Sequence, residues 1–239
     1  MSDIVIVDDA LEKPMHIDRI AETVDTFGVA VMGDAISREH AYRIRREVRN
    51  QLVASIPLRA LRLGSERLLG RENTPDFLQR RPYAVDRADA RKCFSEATVN
   101  LLESVDELNV ALLANQALSK RFDGRIHKVS TLILNRFSPF EKFEAHQDSV
   151  SNSGLSYIFQ TSPSLWNILP EGPRLGQDPL QFITNAGDIV VMSQSKDGTQ
   201  YSNRHQGFHT FLKDGSVVHE AQDVLGQNRF TLALFSKPA

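Results

Sequence analysis

The sequence predicts a mainly β fold with flanking helices, an antiparallel sandwich or jelly roll braced on one face by its N-terminal part. Three observations predict it. Seven short β-branched or aromatic segments, separated by Gly, Pro, Asn and Asp, follow Gly124. The clear helical periodicity lies before Gly124. No long helix interrupts the strands, which argues against alternating βαβ units and a parallel sheet.

The helical part comes first. "SREHAYRIRREVRNQLVAS" (37–55) offers Ser37 as an N-cap, and Ala41, Ile44, Val48 and Leu52 recur at spacings of three and four. A second helix is expected over 95–121, with Leu101, Val105, Leu108 and Leu112 as its apolar stripe and Asp123-Gly124 as its stop. The Arg-rich stretch between them, 56–93, reads as irregular. The expected strands are "VSTLILNRF" (129–137), "GLSYIFQTS" (154–162), "LWNIL" (165–169), "PLQFIT" (179–184), "GDIVVMSQ" (187–194), "SVVHEAQ" (216–222) and "RFTLALF" (229–235). Nothing between them reads as a linker. One domain is expected over 1–239, helical to about 124 and β from about 125.

Bulk properties exclude several classes. The 239 residues are 41% hydrophobic and 24% charged, an ordinary globular composition. A net charge of −2 gives no general attraction to nucleic acid or anionic membrane. The single cysteine, Cys93, allows no internal disulfide and fits a reducing compartment. The opening "MSDIVIVDDALEKP" is acidic where a secretory signal is basic, and no apolar run reaches the length of a membrane span. A soluble cytoplasmic protein is expected.

"EAHQDS" (144–149) carries the first chemistry. If the stretch is extended, His146 and Asp148 point to one face and can share a metal ion. An isolated His-x-Asp is common by chance, so a third ligand must come from elsewhere. His205 and His209 sit in "SNRHQGFHTF", which reads as a loop or a ragged strand, with a loop or lid favoured, and His219 sits in "SVVHEAQ". Ten residues after His219, Arg229 opens the last strand, and the "DVLGQN" turn (223–228) would make a hairpin that brings the two near each other.

The set "HQD" (146–148), His219 and "RFT" (229–231) resembles the iron(II)- and 2-oxoglutarate-dependent oxygenase superfamily. "LNRFSPFEKFEAHQDS", "NAGDIVVM" (185–192) and "DTFGVAVMGDAISREHAYRIRREV" (25–48) resemble further parts of that pattern, so the resemblance covers most of the chain. It implies a double-stranded β-helix, a cupin-like jelly-roll barrel. It implies that His146, Asp148 and His219 bind Fe(II), with His209 the alternative distal ligand. It implies that Arg229, with the Thr231 hydroxyl, binds the distal carboxylate of 2-oxoglutarate, and that O2 is consumed. Two imidazoles and one carboxylate on one face of iron leave positions open for this chemistry. An aspartate at 148 points to oxygenation rather than halogenation. The sequence departs from the pattern in a longer stretch before His219, an insertion near 195–214, and in Phe137, where many relatives carry Tyr.

The implied activity is oxidative decarboxylation of 2-oxoglutarate coupled to hydroxylation, or a related C–H oxidation, of a small molecule, in natural-product or amino-acid metabolism. Residues 58–92 hold nine Lys or Arg against five Asp or Glu, which suits an anionic substrate, with Arg80 and Arg81 as candidate contacts. No nucleic-acid or membrane partner is expected. Two alternatives remain: a protein or peptide hydroxylase of the same fold, and a non-catalytic cupin-like binding protein. The latter should lack a ligand or the arginine.

Overall fold

The structure is a computed structural model. It describes residues 6–8, 16–54, 83–122, 124–125, 127–137, 154–168, 180–193, 205–208 and 229–238. In chain order the elements are β1 (Ile6–Asp8), α1 (Ile17–Phe27), β2 (Val29–Gly33), α2 (Arg38–Ala54), β3 (Tyr83–Asp86), a 3₁₀ turn (Arg87–Asp89), α3 (Ala90–Cys93), α4 (Glu96–Ala114) and α5 (Gln116–Arg121). Then follow β4 (His127–Phe137), β5 (Leu155–Gln160), β6 (Ser164–Ile168), β7 (Leu180–Thr184), β8 (Ile189–Ser193), β9 (His205–Phe208) and β10 (Arg229–Pro238).

The strands form two sheets. One has seven strands in the order β1-β2-β8-β5-β10-β4-β3, and the other has three in the order β7-β6-β9. Every pairing is antiparallel except β1 with β2. This is a jelly roll with flanking helices, as the strand spacing predicts. The expected strand at 216–222 lies outside the described residues. Of the stretch 56–93, the described residues 83–93 are regular: a strand, a 3₁₀ turn and α3. Residues 83–86 form a strand because the edge of β4 offers a free ladder.

The large sheet is buried on both faces. Leu132, Leu134, Leu155, Tyr157, Phe159, Phe230, Leu232 and Leu234 pack outward against Ile20, Val24, Ile44, Val48, Leu102, Val105 and Leu108 of the helices. The alternate positions Ile158, Val190, Met192, Ala233 and Phe235 face the small sheet and meet Trp166, Ile168 and Phe182. A period-two strand sandwiched between two apolar layers must be apolar at both parities, which explains why these strands read as continuous runs.

Capping sets the helices. The Ser37 hydroxyl accepts from the His40 amide at 3.2 Å, so it is the cap the sequence suggests. Ser95 caps α4 through the Thr98 amide at 3.5 Å. The helix expected over 95–121 is two helices. The Asn115 amide bonds back to Leu112, while its side chain accepts from the Ala117 amide at 3.0 Å and starts α5. Gly124, at φ +65°, follows α5 as the stop.

The Gly187-Asp188 turn ties the helical layer to the barrel. Gly187 has φ +106°, and a Cβ there would lie 2.6 Å from the Ile36 carbonyl. Its amide donates to the Gln160 carbonyl (3.0 Å), and its carbonyl accepts from the Ile36 amide (3.0 Å). The Asp188 carboxylate is buried and accepts from the Asp34 amide (2.9 Å) and the Asn185 amide (2.7 Å). Asp188→Ala leaves two amides without their charged acceptor. It should cost about 3 kcal/mol of stability with an unchanged denaturant slope, measured by urea unfolding.

At the other end of the barrel, Asn109 of α4 donates to the His127 carbonyl and accepts from the Tyr157 hydroxyl, both at 3.0 Å. The His127 ring is 4% exposed, packs at 5.2 Å against Phe122, and has no partner for either nitrogen. Burial, then the nearby Arg125 charge, lowers its pKa below the ordinary 6.5. A group whose folded pKa is depressed takes up its proton more readily when unfolded. Stability should therefore be full above pH 6.5 and fall as the pH drops below it. His127→Phe keeps the ring contact and removes the proton site. Its thermal melts should depend less on pH than those of the wild type across that window.

Candidate functional site

Register and burial define one end of the barrel as the candidate site. There β10 begins, with Arg229 opposite Phe137 and Thr231 opposite both Asn135 on β4 and Gln160 on β5. Position 229 shares a strand face with Thr231, Ala233 and Phe235, and the last two lie in the cluster between the sheets. Gln160 shares that parity with Ile158 of the same cluster. The inner face thus changes from apolar to polar at its last turn of pleat.

The polar groups there are buried and joined. Gln160 is fully buried, and Thr231 is 2% exposed. The Trp166 indole N–H donates to the Thr184 hydroxyl at 3.2 Å. That hydroxyl has one proton to give, to Gln160 Oε1 at 3.3 Å or to the Ser164 carbonyl at 3.4 Å. Gln160 Nε2 donates to the Ile158 carbonyl at 3.1 Å. The Thr161 hydroxyl donates to the carbonyl of Phe230, between positions 229 and 231. Trp166 and Phe182 lie parallel, 6.2 Å apart, closing the apolar side. Among the described residues Asp188 is the only buried carboxylate, and its oxygens are engaged by the two amides described above. The described wall is therefore neutral and rich in hydroxyl and amide groups, and position 229 opens the same strand face.

The predicted residues divide into two groups. Arg229 and Thr231 stand on β10 as the sequence predicts, and Thr231 is buried on the inner parity. His146, Asp148 and His219, the alternative ligand His209, and Arg80 and Arg81 lie outside the described residues. The chain leaves the described residues at Phe137 and at Phe208 and re-enters at Arg229. These three points lie at the same end of the barrel, because Phe137 pairs with Arg229 and Phe208 pairs with Leu165 at the start of β6. His205 and Gly207 are not in a loop. They stand on β9, where Gly207 pairs with Trp166 on β6. Gln160, Trp166 and Thr184 were not singled out from sequence. Their signal is a polar residue ending an apolar strand, as in "SYIFQ" and "QFIT", which also describes an ordinary strand end.

The chain has the fold of the iron(II)- and 2-oxoglutarate-dependent oxygenases. Particular solved structures show the likeness. A Pseudomonas putida prolyl-4-hydroxylase is 12% identical, with a TM-score of 0.60 over 92% of this chain and 98% of its own. An oxidoreductase of the 2OG-Fe(II) oxygenase family from Burkholderia pseudomallei is 15% identical, with a TM-score of 0.53 over 94% of this chain and 91% of its own. A non-haem alpha-ketoglutarate-dependent carbocyclase from nogalamycin biosynthesis is 11% identical, with a TM-score of 0.51 over 96% and 86%. No protein-family model matches the chain, and no curated protein does. Among the described residues, no helix is long and apolar enough to cross a membrane.

Thr184 sits at the centre of the inner network. Thr184→Val preserves shape but leaves the Trp166 N–H and Gln160 Oε1 without it. It should lower stability by about 1–2 kcal/mol and change the emission of Trp166, the chain's one tryptophan. Chemical unfolding and intrinsic fluorescence on the same samples check both.

Proposed function

We propose that this chain is a non-haem iron(II) oxygenase that couples oxidative decarboxylation of 2-oxoglutarate to hydroxylation, or a related C–H oxidation, of a small-molecule substrate. The observation that carries this reading is the start of β10, where position 229 shares a strand face with the buried Thr231, which pairs with the buried Gln160. A dicarboxylate needs a cation for its distal end and neutral donors around it. The described wall supplies hydroxyl and amide groups and no competing buried acid other than Asp188.

Arg229 would pair with the distal carboxylate of 2-oxoglutarate, and Thr231 would donate to it. His146, Asp148 and His219 would hold Fe(II); two neutral imidazoles and one carboxylate are the donor set that suits a redox-active iron with open positions. Together the metal and 2-oxoglutarate supply the oxidation of a substrate C–H bond by O2. The protein's own contribution is to orient the substrate and keep water out. Trp166 and Phe182 form an apolar wall suited to that second task. Phe137 brings no hydroxyl to the cosubstrate, and Gln160, which pairs with Thr231, is a buried polar group available in its place. The Arg excess in 58–92 favours an anionic substrate.

Succinate release on addition of 2-oxoglutarate and air to the Fe(II)-loaded protein tests the reading. Binding can be followed separately through Trp166 fluorescence. Arg229→Ala should weaken 2-oxoglutarate about a hundredfold, the usual scale for removing one partner of a buried charge pair. Asp148→Ala and His219→Ala should lose Fe(II) and with it succinate. If only His209→Ala loses iron, the distal ligand is His209. Wild-type protein that binds neither Fe(II) nor 2-oxoglutarate would refute the proposal.

A further inference from the structure

Two helices of the outer layer carry opposite charge. Helix α2 has five arginines and two glutamates. Its exposed face carries Arg38, Tyr42, Arg46 and Arg49 at spacings of four, four and three. Glu39 on the same face is held by Arg43 at 3.4 Å, and Glu47 turns to the Ser95 amide. No hydrogen bond or ion pair among the described residues engages Arg38, Arg46 or Arg49. Helix α4 has four acids and no base. Its exposed stripe runs Glu96, Asn100, Glu103, Glu107, Val110 and Ala114, alternating by four and three along its whole length. Among the described residues only Glu103 is paired there, with Arg91 at 2.8 Å.

The two exposed large apolar side chains among the described residues lie on these same stripes. Tyr42 is 41% exposed on the basic one and Val110 is 66% exposed on the acidic one. Each stripe therefore has an apolar residue among charges mainly of one sign, Glu39 of the basic stripe being held by Arg43, and such a pair of stripes can form a small interface. The helices are neighbours on one side of the large sheet, joined where Gln51 of α2 donates to the Cys93 carbonyl just before α4 (2.7 Å). Both stripes are thus presented by a single layer. A polyanion approaching the arginines would meet the α4 acids beside them. A surface with both signs side by side suits a partner with the same pair of stripes.

We propose that this layer is a self-association surface, on which α2 of one chain lies over α4 of a second copy and α4 over α2. The contact is made twice about a two-fold axis and closes as a dimer. Each half sets Arg38, Arg46 and Arg49 against Glu96, Glu103 and Glu107 and covers Tyr42 and Val110. It also brings acids toward Arg45, whose guanidinium lies over the Phe230 ring at 5.6 Å, crowded by Arg49.

Sedimentation velocity of the full chain tests this at about 0.05 M and at about 1 M salt, where the screening length shrinks to about 3 Å. The wild type should be dimeric at low salt and dissociate at high salt. Arg46→Glu with Arg49→Glu makes both stripes acidic, and Glu103→Arg with Glu107→Arg makes both basic. Each should weaken self-association by roughly a hundredfold or more through like-charge contact. An equimolar mixture of the two should regain a dimer, because every contact is then complementary. The proposal fails if the wild type stays monomeric at low salt, if either reversed protein dimerises like the wild type, or if the mixture does not associate. Should a reversed protein melt early, Tyr42→Ser with Val110→Ser tests the same contact with no change of charge and should also dissociate the dimer.

Discussion

The large sheet is covered on both faces, and strand β10 has to satisfy both covers at once. Its outward residues Phe230, Leu232 and Leu234 belong to the core under the helices, and its inward residues Ala233 and Phe235 belong to the core between the sheets. It pairs with β4 across ten positions and with β5 across five. A slip of one residue would exchange the two sets and drive the polar inner positions into the helical core. The register is therefore specified twice over. That specification is what puts positions 229 and 231, rather than 230, on the side facing the barrel.

The barrel's polarity follows from where its strands end. Midway along β5, β8 and β10 the inner face is Ile158, Val190 and Ala233, residues with nothing to donate. At the last residues of β5 and β7 it becomes Gln160 and Thr184, both fully buried. Buried polar groups persist when they satisfy one another, and these do so through Trp166 and two main-chain carbonyls. The Gly187-Asp188 turn holds the rim of this network. It bonds to the Gln160 backbone on one side and to Asp34 and Ile36, just before α2, on the other. A change in the helical layer thus reaches the polar end of the barrel through a single tight turn.

Much of this was legible in the sequence, because each face of each element shows its own period. The stripe Ala41, Ile44, Val48 fixed α2, and runs such as "GDIVVMSQ" placed strands within two residues of their ends. Helix α1 escaped notice because its buried set is short, Ile20, Ala21, Thr23 and Val24, and one of those is a threonine bonded to the Arg19 carbonyl. The break at Asn115 escaped because the apolar stripe continues to Leu118 across it. Of this end of the barrel, Arg229 and Thr231 were legible as positions on the last strand from the run "RFTLALF". Gln160 and Thr184 were not, since a polar residue closing an apolar strand looks the same whether it faces solvent or a cavity. The stretch "SNRHQGFH" reads as loop or ragged strand because it is polar and carries a glycine, and the glycine pairs with Trp166 on β6.

The backbone around Phe230 is held from three directions. Its ring lies under the Arg45 guanidinium on the outer side. Its main chain is in register with Arg136. Its carbonyl accepts from the Thr161 hydroxyl, which leaves β5 directly after Gln160. The residues on either side, 229 and 231, are the ones that face inward. Their positions are therefore fixed by contacts outside the barrel, before anything enters it, and a ligand there would not have to bear the entropy of ordering the strand. Arg45 is half-buried, and burial lowers its pKa to about 10, so it remains charged at neutral pH and the contact with Phe230 persists. An arginine of the outer layer thus supports the geometry of the inner wall without touching it.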